Sequence, residues 1–251
     1  METVIVPGLL ILVGLSLGML GGGATLTVPV LVYAGKLAPA QAISMSLLMV
    51  SLAAAAGSFS YLYRRMVDFR VAALFIVFGS AGAFLGAPLT SKVSAQNLMM
   101  LFGALMAAIA GLMLLRRDPA SGKQETGTGC RPGFWLSAFG GLLVGFLTGF
   151  LGVGGGFLIV PVLASLLGCS AKAATGTSLV IIAVNAMAGF VGHSVALEPA
   201  ALLINTAALL VGVAAGSRIA FRFADRTLSR LFAVLIFFTG TLIMFRTWIT
   251  K

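Results

Sequence analysis

Hydrophobic residues run along this chain in long uninterrupted blocks and do not alternate with polar ones. Several blocks of about 20 residues carry no charge, the length a helix needs to cross roughly 30 Å of hydrocarbon. A membrane β-barrel would alternate apolar and polar positions instead. The blocks predict two broken segments, Val4–Tyr33 and Phe134–Leu167, each interrupted by glycines. Three helices follow the first, at about Ala40–Tyr63, Val71–Leu89 and Gln96–Leu115. Three follow the second, at about Ala171–Val191, Pro199–Ala220 and Leu228–Phe245.

The pattern repeats. At an offset of 132 residues, Gly22 and Gly23 fall on Gly154 and Gly155, Pro29 on Pro161, Ala42 on Ala174, Ser46 on Ser178 and Gly57 on Gly189. At an offset of 130, Gly82 and Gly86 fall on Gly212 and Gly216, and Phe102 on Phe232. The chain therefore divides into a first membrane repeat (1–117), a polar linker (118–133) and a second repeat (134–251). Small residues spaced by four, such as Gly14/Gly18, Gly82/Gly86, Gly141/Gly145/Gly149 and Gly212/Gly216, suit close helix packing in lipid.

Composition strengthens this reading. The 251 residues are 60% hydrophobic and 9% charged. The net charge of +10 fits cations flanking membrane helices on the cytoplasmic side, and no aromatic–basic motif points to nucleic acid. Cys130 and Cys169 are far apart and lie in no metal-ligand pattern, so free thiols are expected, with no metal and no cofactor. METVIVP at the N-terminus lacks the basic start of a signal peptide and reads as part of the fold.

The cations also choose a topology. If each broken segment crosses once, nine cations lie inside against seven outside. If each enters and returns, Lys172, Arg218, Arg222, Arg226 and Arg230 join the inside while Arg246 and Lys251 leave it, giving twelve against four. The expected fold is thus an all-α polytopic membrane protein of two inverted repeats. Each repeat holds a glycine-broken re-entrant helical hairpin and three transmembrane helices, about eight membrane segments in all, with both termini outside. Inverted repeats with broken helices are a transporter architecture, and irregular backbone at membrane depth lines a cavity or is buried in protein.

The breaks mark the expected site: Gly22, Gly23, Ala24 and Thr25 in the first repeat, Gly154, Gly155, Gly156 and Phe157 in the second. A half-helix starting at each would aim backbone N–H groups and about half a positive charge inward, which suits an anion. The six acidic residues fall at predicted helix ends or in loops, so no buried carboxylate awaits a cation. Hydroxyls and one amide complete the set: Ser46, Ser178, Thr177 and Asn185, with the plain alternative of helix–helix hydrogen bonding or a bond back to the preceding turn. His193 is the single histidine and is a candidate for proton coupling, or simply a solvated interfacial residue.

The G-x-G-G-G…P-x-L stretch at Gly152, Gly154–Gly156, Pro161 and Leu163, with AATGTSL at Ala173–Leu179, resembles the sulfite exporter TauE/SafE family, also called the 4-toluene sulfonate uptake permeases. The first copy departs from the pattern, with Leu20 and Ala24 where Gly152 and Gly156 would align. The resemblance implies transport of sulfite, sulfonates such as sulfoacetate, or other small anions across the bacterial inner membrane. The expected partners are that anion and the lipid bilayer, with monomer and homodimer both open. An enzyme is not expected. GTSLV lacks the second glycine of a nucleophile elbow, and neither glycine run continues into a nucleotide-binding pattern. Export driven by membrane potential is the expected direction, with proton-coupled uptake and a passive anion channel as the alternatives.

Overall fold

The computed structural model describes residues 2–90, 95–115, 130, 133–151, 156–191 and 198–249. Most of these are helical, with no strand among the described residues. α1 spans Glu2–Leu20, and α2 covers Gly23–Ala34 as a 3₁₀ turn, a single α turn and a π turn in succession. α3 (Pro39–Tyr63), α4 (Phe69–Thr90) and α5 (Ala95–Leu115) complete the first part. α6 (Phe134–Leu151), α7 (Gly156–Ser165), α8 (Ala171–Val191), α9 (Pro199–Ala220) and α10 (Asp225–Ile249) follow. Four of them, within α3, α4, α8 and α9, are long and apolar enough to cross a membrane, and shorter apolar helices accompany them. The outward faces of the bundle carry Phe59, Phe84, Leu203, Val211 and, on α10, Phe238 in the open, as expected of surfaces solvated by lipid tails.

Side-chain contacts fix the relative directions. Ser51 Oγ donates to the Ala183 carbonyl at 2.8 Å, Leu47 lies against Gly189, and Leu179 against Gly57. Numbers rise along α3 as they fall along α8, so these helices are antiparallel. α1 and α9 are parallel: Gly14 meets Gly212 and Val213, and Gly18 meets Val213 and Ser217. α4 and α6 pair the same way, with Gly79 against Gly141, Gly82 against Phe146 and Gly86 against Phe150. In both pairs a methyl on the glycine would strike the neighbouring backbone. The small-residue stripes therefore act as packing surfaces, where dispersion contacts replace a hydrophobic drive that lipid does not supply.

Residues far apart in sequence meet at one end of the bundle. Tyr61 donates its hydroxyl to the Gly18 carbonyl at 2.8 Å and its ring lies 4.9 Å from that of Phe221. The Arg64 guanidinium sits 4.1 Å above Phe221, and Lys172 lies 3.8 Å from Asp225. The turns and helix ends here bring together Arg64, Arg65, Arg70, Lys172, Arg218, Arg222, Arg226 and Arg230.

One expectation is overturned. Cys130 and Cys169, read from sequence as free, are joined as a disulfide. Their 39-residue separation hides the fact that α6 leaves this end and α7 brings the chain back to it.

Candidate functional site

The first break follows from its glycines. α1 ends at Leu20, and Gly21 turns the chain with φ +71°, a left-handed conformation that a side chain resists. Gly23 then packs against Val13, Ser16 and Leu17 of α1, so α2 folds straight back along the helix it came from. The second break lies between Leu151 and Gly156. Of its predicted site residues, Gly154 and Gly155 lie outside the described residues, as does His193.

The two return segments start beside one another. A methyl placed on Gly22 would lie 3.6 Å from the Phe157 Cα, and one placed on Gly156 would lie 3.7 Å from the Ala24 Cβ and 3.0 Å from Ile182 Cδ1. From this crossing α2 and α7 run in opposite directions. Phe157 is buried there, and Ala24 and Thr25 are half-buried. Both segments begin here, and a helix start is where backbone N–H groups are turned toward a ligand rather than toward a carbonyl of the preceding turn.

Ser178 stands beside this crossing: a methyl on Gly21 would come 2.5 Å from its Oγ and 3.3 Å from the Thr175 Cα. Ser178 is fully buried and donates back to the Thr175 carbonyl at 2.8 Å, which leaves its lone pairs free to accept. Ser46, its counterpart on α3, is also buried. Thr177 points elsewhere: its Oγ1 accepts the Asp68 N–H at 3.1 Å and so secures the α3–α4 turn at the cation-rich end. Asn185 is exposed on the far half of α8, one turn beyond Ile181 and Ile182.

Sequence reasoning missed three features of this region. Phe232 of α10 is buried with its ring against Gly22; the methyl on that glycine would sit 2.8 Å from its Cζ. An aromatic on a distant helix gives no local signal of such a contact. Leu20, Val160, Thr175 and Phe232 line a small cleft here that holds about one water. Thr27 of α2 is fully buried and its hydroxyl has no partner among the described residues; the hydroxyl of Thr206 on α9 likewise has none. The second threonine of TLTVP was a readable signal for the first of these.

The profile of the family described as "Sulfite exporter TauE/SafE" matches residues 6–243. The chain belongs to this family. A protein of Xylella fastidiosa (strain 9a5c) named "Probable membrane transporter protein" is 34% identical over 250 residues, covering 94% of this chain and 93% of its own length. "Probable membrane transporter protein YunE" of Bacillus subtilis (strain 168) is 27% identical, covering 74% and 78%. No solved structure matches the chain. The TauE/SafE membership, the apolar helices and the lipid-facing aromatics together make this a multi-pass membrane transporter.

Proposed function

We propose that the protein carries small organic or sulfur-containing anions, such as sulfite or sulfonates like sulfoacetate, outward across the inner membrane by alternating access. The observation that carries this reading is the crossing of the two return segments, Gly22 beside Phe157 and Ala24 beside Gly156. Two helix starts meet inside an apolar bundle, and each favours a negative charge by about 0.3–2 kcal/mol. The acidic side chains Asp68, Glu198 and Asp225 sit at helix ends, away from the crossing. The site comprises Gly22, Gly23, Ala24, Thr25, Gly154, Gly155, Gly156, Phe157, Ser46 and Ser178, with Asn185 further along the same face of α8; Thr177 supports it from the cation-rich end.

The architecture behind this function is a pair of inverted repeats, 1–117 and 134–251. Support comes from α3 and α8, which correspond at the 132-residue offset and pack antiparallel. The α1–α9 and α6–α4 pairs are counterparts too, and both are parallel. The cation-rich end, with the linker 118–133, then faces the cytoplasm. Two near-equivalent halves can exchange inward- and outward-open states around a fixed centre. The arrangement of Phe232 over Gly22 fits a state closed at the cytoplasmic side.

A binding screen tests the ligand class. Sulfite, sulfoacetate, taurine, thiosulfate and simple carboxylates are added to purified protein while its melting temperature is followed. At least one anion is expected to stabilise it, and Gly22→Val, which forces a branched side chain into Phe232 and Phe157, is expected to lose that response while still inserting. Stabilisation by cations alone would sink the anion reading.

A further inference from the structure

The disulfide is not needed to build the hairpin it closes. Cys169 follows Gly168, which has φ +63°, and its N–H reaches back to the Leu163 carbonyl at 3.2 Å. The same turn ends α2: Lys36 has φ +51°, and the Leu37 N–H reaches the Leu31 carbonyl at 3.2 Å. Leu37 is the counterpart of Cys169 at the 132-residue offset, so the first hairpin makes this turn with a leucine and no crosslink. In the second, Cys130 lies just before α6 and Cys169 just after α7, so the bond ties the two open ends of that hairpin together.

Its location is the second observation. Lys172 and Asp225 pair three residues beyond Cys169, at the end gathering the arginines. If that end faces the cytoplasm, as proposed above, glutathione keeps its thiols reduced, and disulfides in that compartment are usually transient.

We infer that Cys130 and Cys169 form a reversible modification site, a dithiol that reacts with low-molecular-weight disulfides and clamps the second hairpin when oxidised. Cys130 is half-buried and Cys169 almost fully buried, so Cys130 is the thiol that reacts first. The Cys130 thiolate attacks one sulfur of oxidised glutathione and releases one glutathione thiolate. The Cys169 thiolate then attacks the Cys130 sulfur and releases the second. Each thiol gives up one proton, and glutathione disulfide accepts the two electrons. In the clamped form α7, whose first residues form half of the crossing, moves with less freedom relative to α6. Reduction restores it.

The inference rests on the cytoplasmic placement, so the test separates the two. Growing cells are quenched in acid, and free thiols are tagged with a mass-shifting maleimide before and after diamide treatment. Two tags in unstressed cells and none after diamide are expected. No tags in unstressed cells, or two after diamide, would overturn the site. A membrane-impermeant maleimide applied to intact cells is expected to leave both cysteines untouched, and labelling there would overturn the cytoplasmic orientation instead. On purified protein, reduction is expected to speed hydrogen exchange in 156–165 and lower the melting temperature by roughly 5–10 °C. Cys130→Ser is expected to match the reduced form under all conditions. An exchange rate indifferent to redox state would show that the bond clamps nothing.

Discussion

Two glycines separate the energy of close packing at the hairpin crossing from that of left-handed backbone alone. Gly21 and Gly168 both hold left-handed backbone, at φ +71° and +63°. An alanine at either should cost about 1–2 kcal/mol for that conformation alone. Around Gly168 nothing lies within 4 Å of the added methyl. At Gly21 the methyl would come 2.9 Å from Val160 Cγ2, 2.5 Å from Ser178 Oγ and 3.3 Å from the Thr175 Cα. Crowding of that kind adds about 1–3 kcal/mol. Gly168→Ala should therefore lose about 1–2 kcal/mol and Gly21→Ala about 2–5 kcal/mol. At about 2–4 °C per kcal/mol, the melting temperatures of the two variants should separate by several degrees. Melting in matched lipid nanodiscs, followed by tryptophan fluorescence or circular dichroism, measures the gap. Gly168→Ala should also leave anion binding intact, whereas Gly21→Ala should weaken it by displacing Ser178. Equal losses in the two variants would refute the close packing of the first break against α7 and α8.

Other outcomes follow from single contacts. Lys36→Gly removes left-handed strain at an exposed turn and should stabilise by about 1 kcal/mol, read as a small rise in melting temperature. Tyr61→Phe deletes the bond to the Gly18 carbonyl and should cost about 1–3 kcal/mol, because a buried carbonyl is left without its donor. Gly145→Val drives a branched side chain into the Gly79 backbone and should split α4 from α6, visible as loss of folded protein in detergent. Phe232→Ala empties the space against Gly22 and should cost about 3–5 kcal/mol while making a cysteine introduced at residue 22 reactive to maleimide.

How much of this could be read beforehand depends on which interactions set each feature. α8 and α9 begin and end where hydropathy and the flanking Pro199 place them, because lipid thickness and local chemistry fix those bounds. The position of the first glycine break was equally local. α10 starts at Asp225, earlier than the apolar run, because an acidic residue suits a helix start and lets the helix project beyond the apolar layer. The mixed 3₁₀, α and π winding of α2 was invisible, since it follows from packing against α1 and not from propensity. The disulfide and the Phe232 contact depend on helices returning to one end, and no local pattern reports that. Thr177 shares a helix with Ser178, but the 100° turn between them sends one to the α3–α4 turn and the other to the crossing.

Anion movement here rests on two helix starts presented at the centre of a helical bundle whose charged side chains lie at the helix ends. The most direct test is efflux of labelled sulfite and sulfoacetate from proteoliposomes under a potassium-diffusion potential. An inside-negative potential of 100 mV is worth about 2.3 kcal/mol per charge. Saturable efflux that this potential accelerates is expected, with loss of that flux in Gly22→Val. Efflux indifferent to the potential, or a linear flux at channel rates that Gly22→Val leaves unchanged, would contradict it.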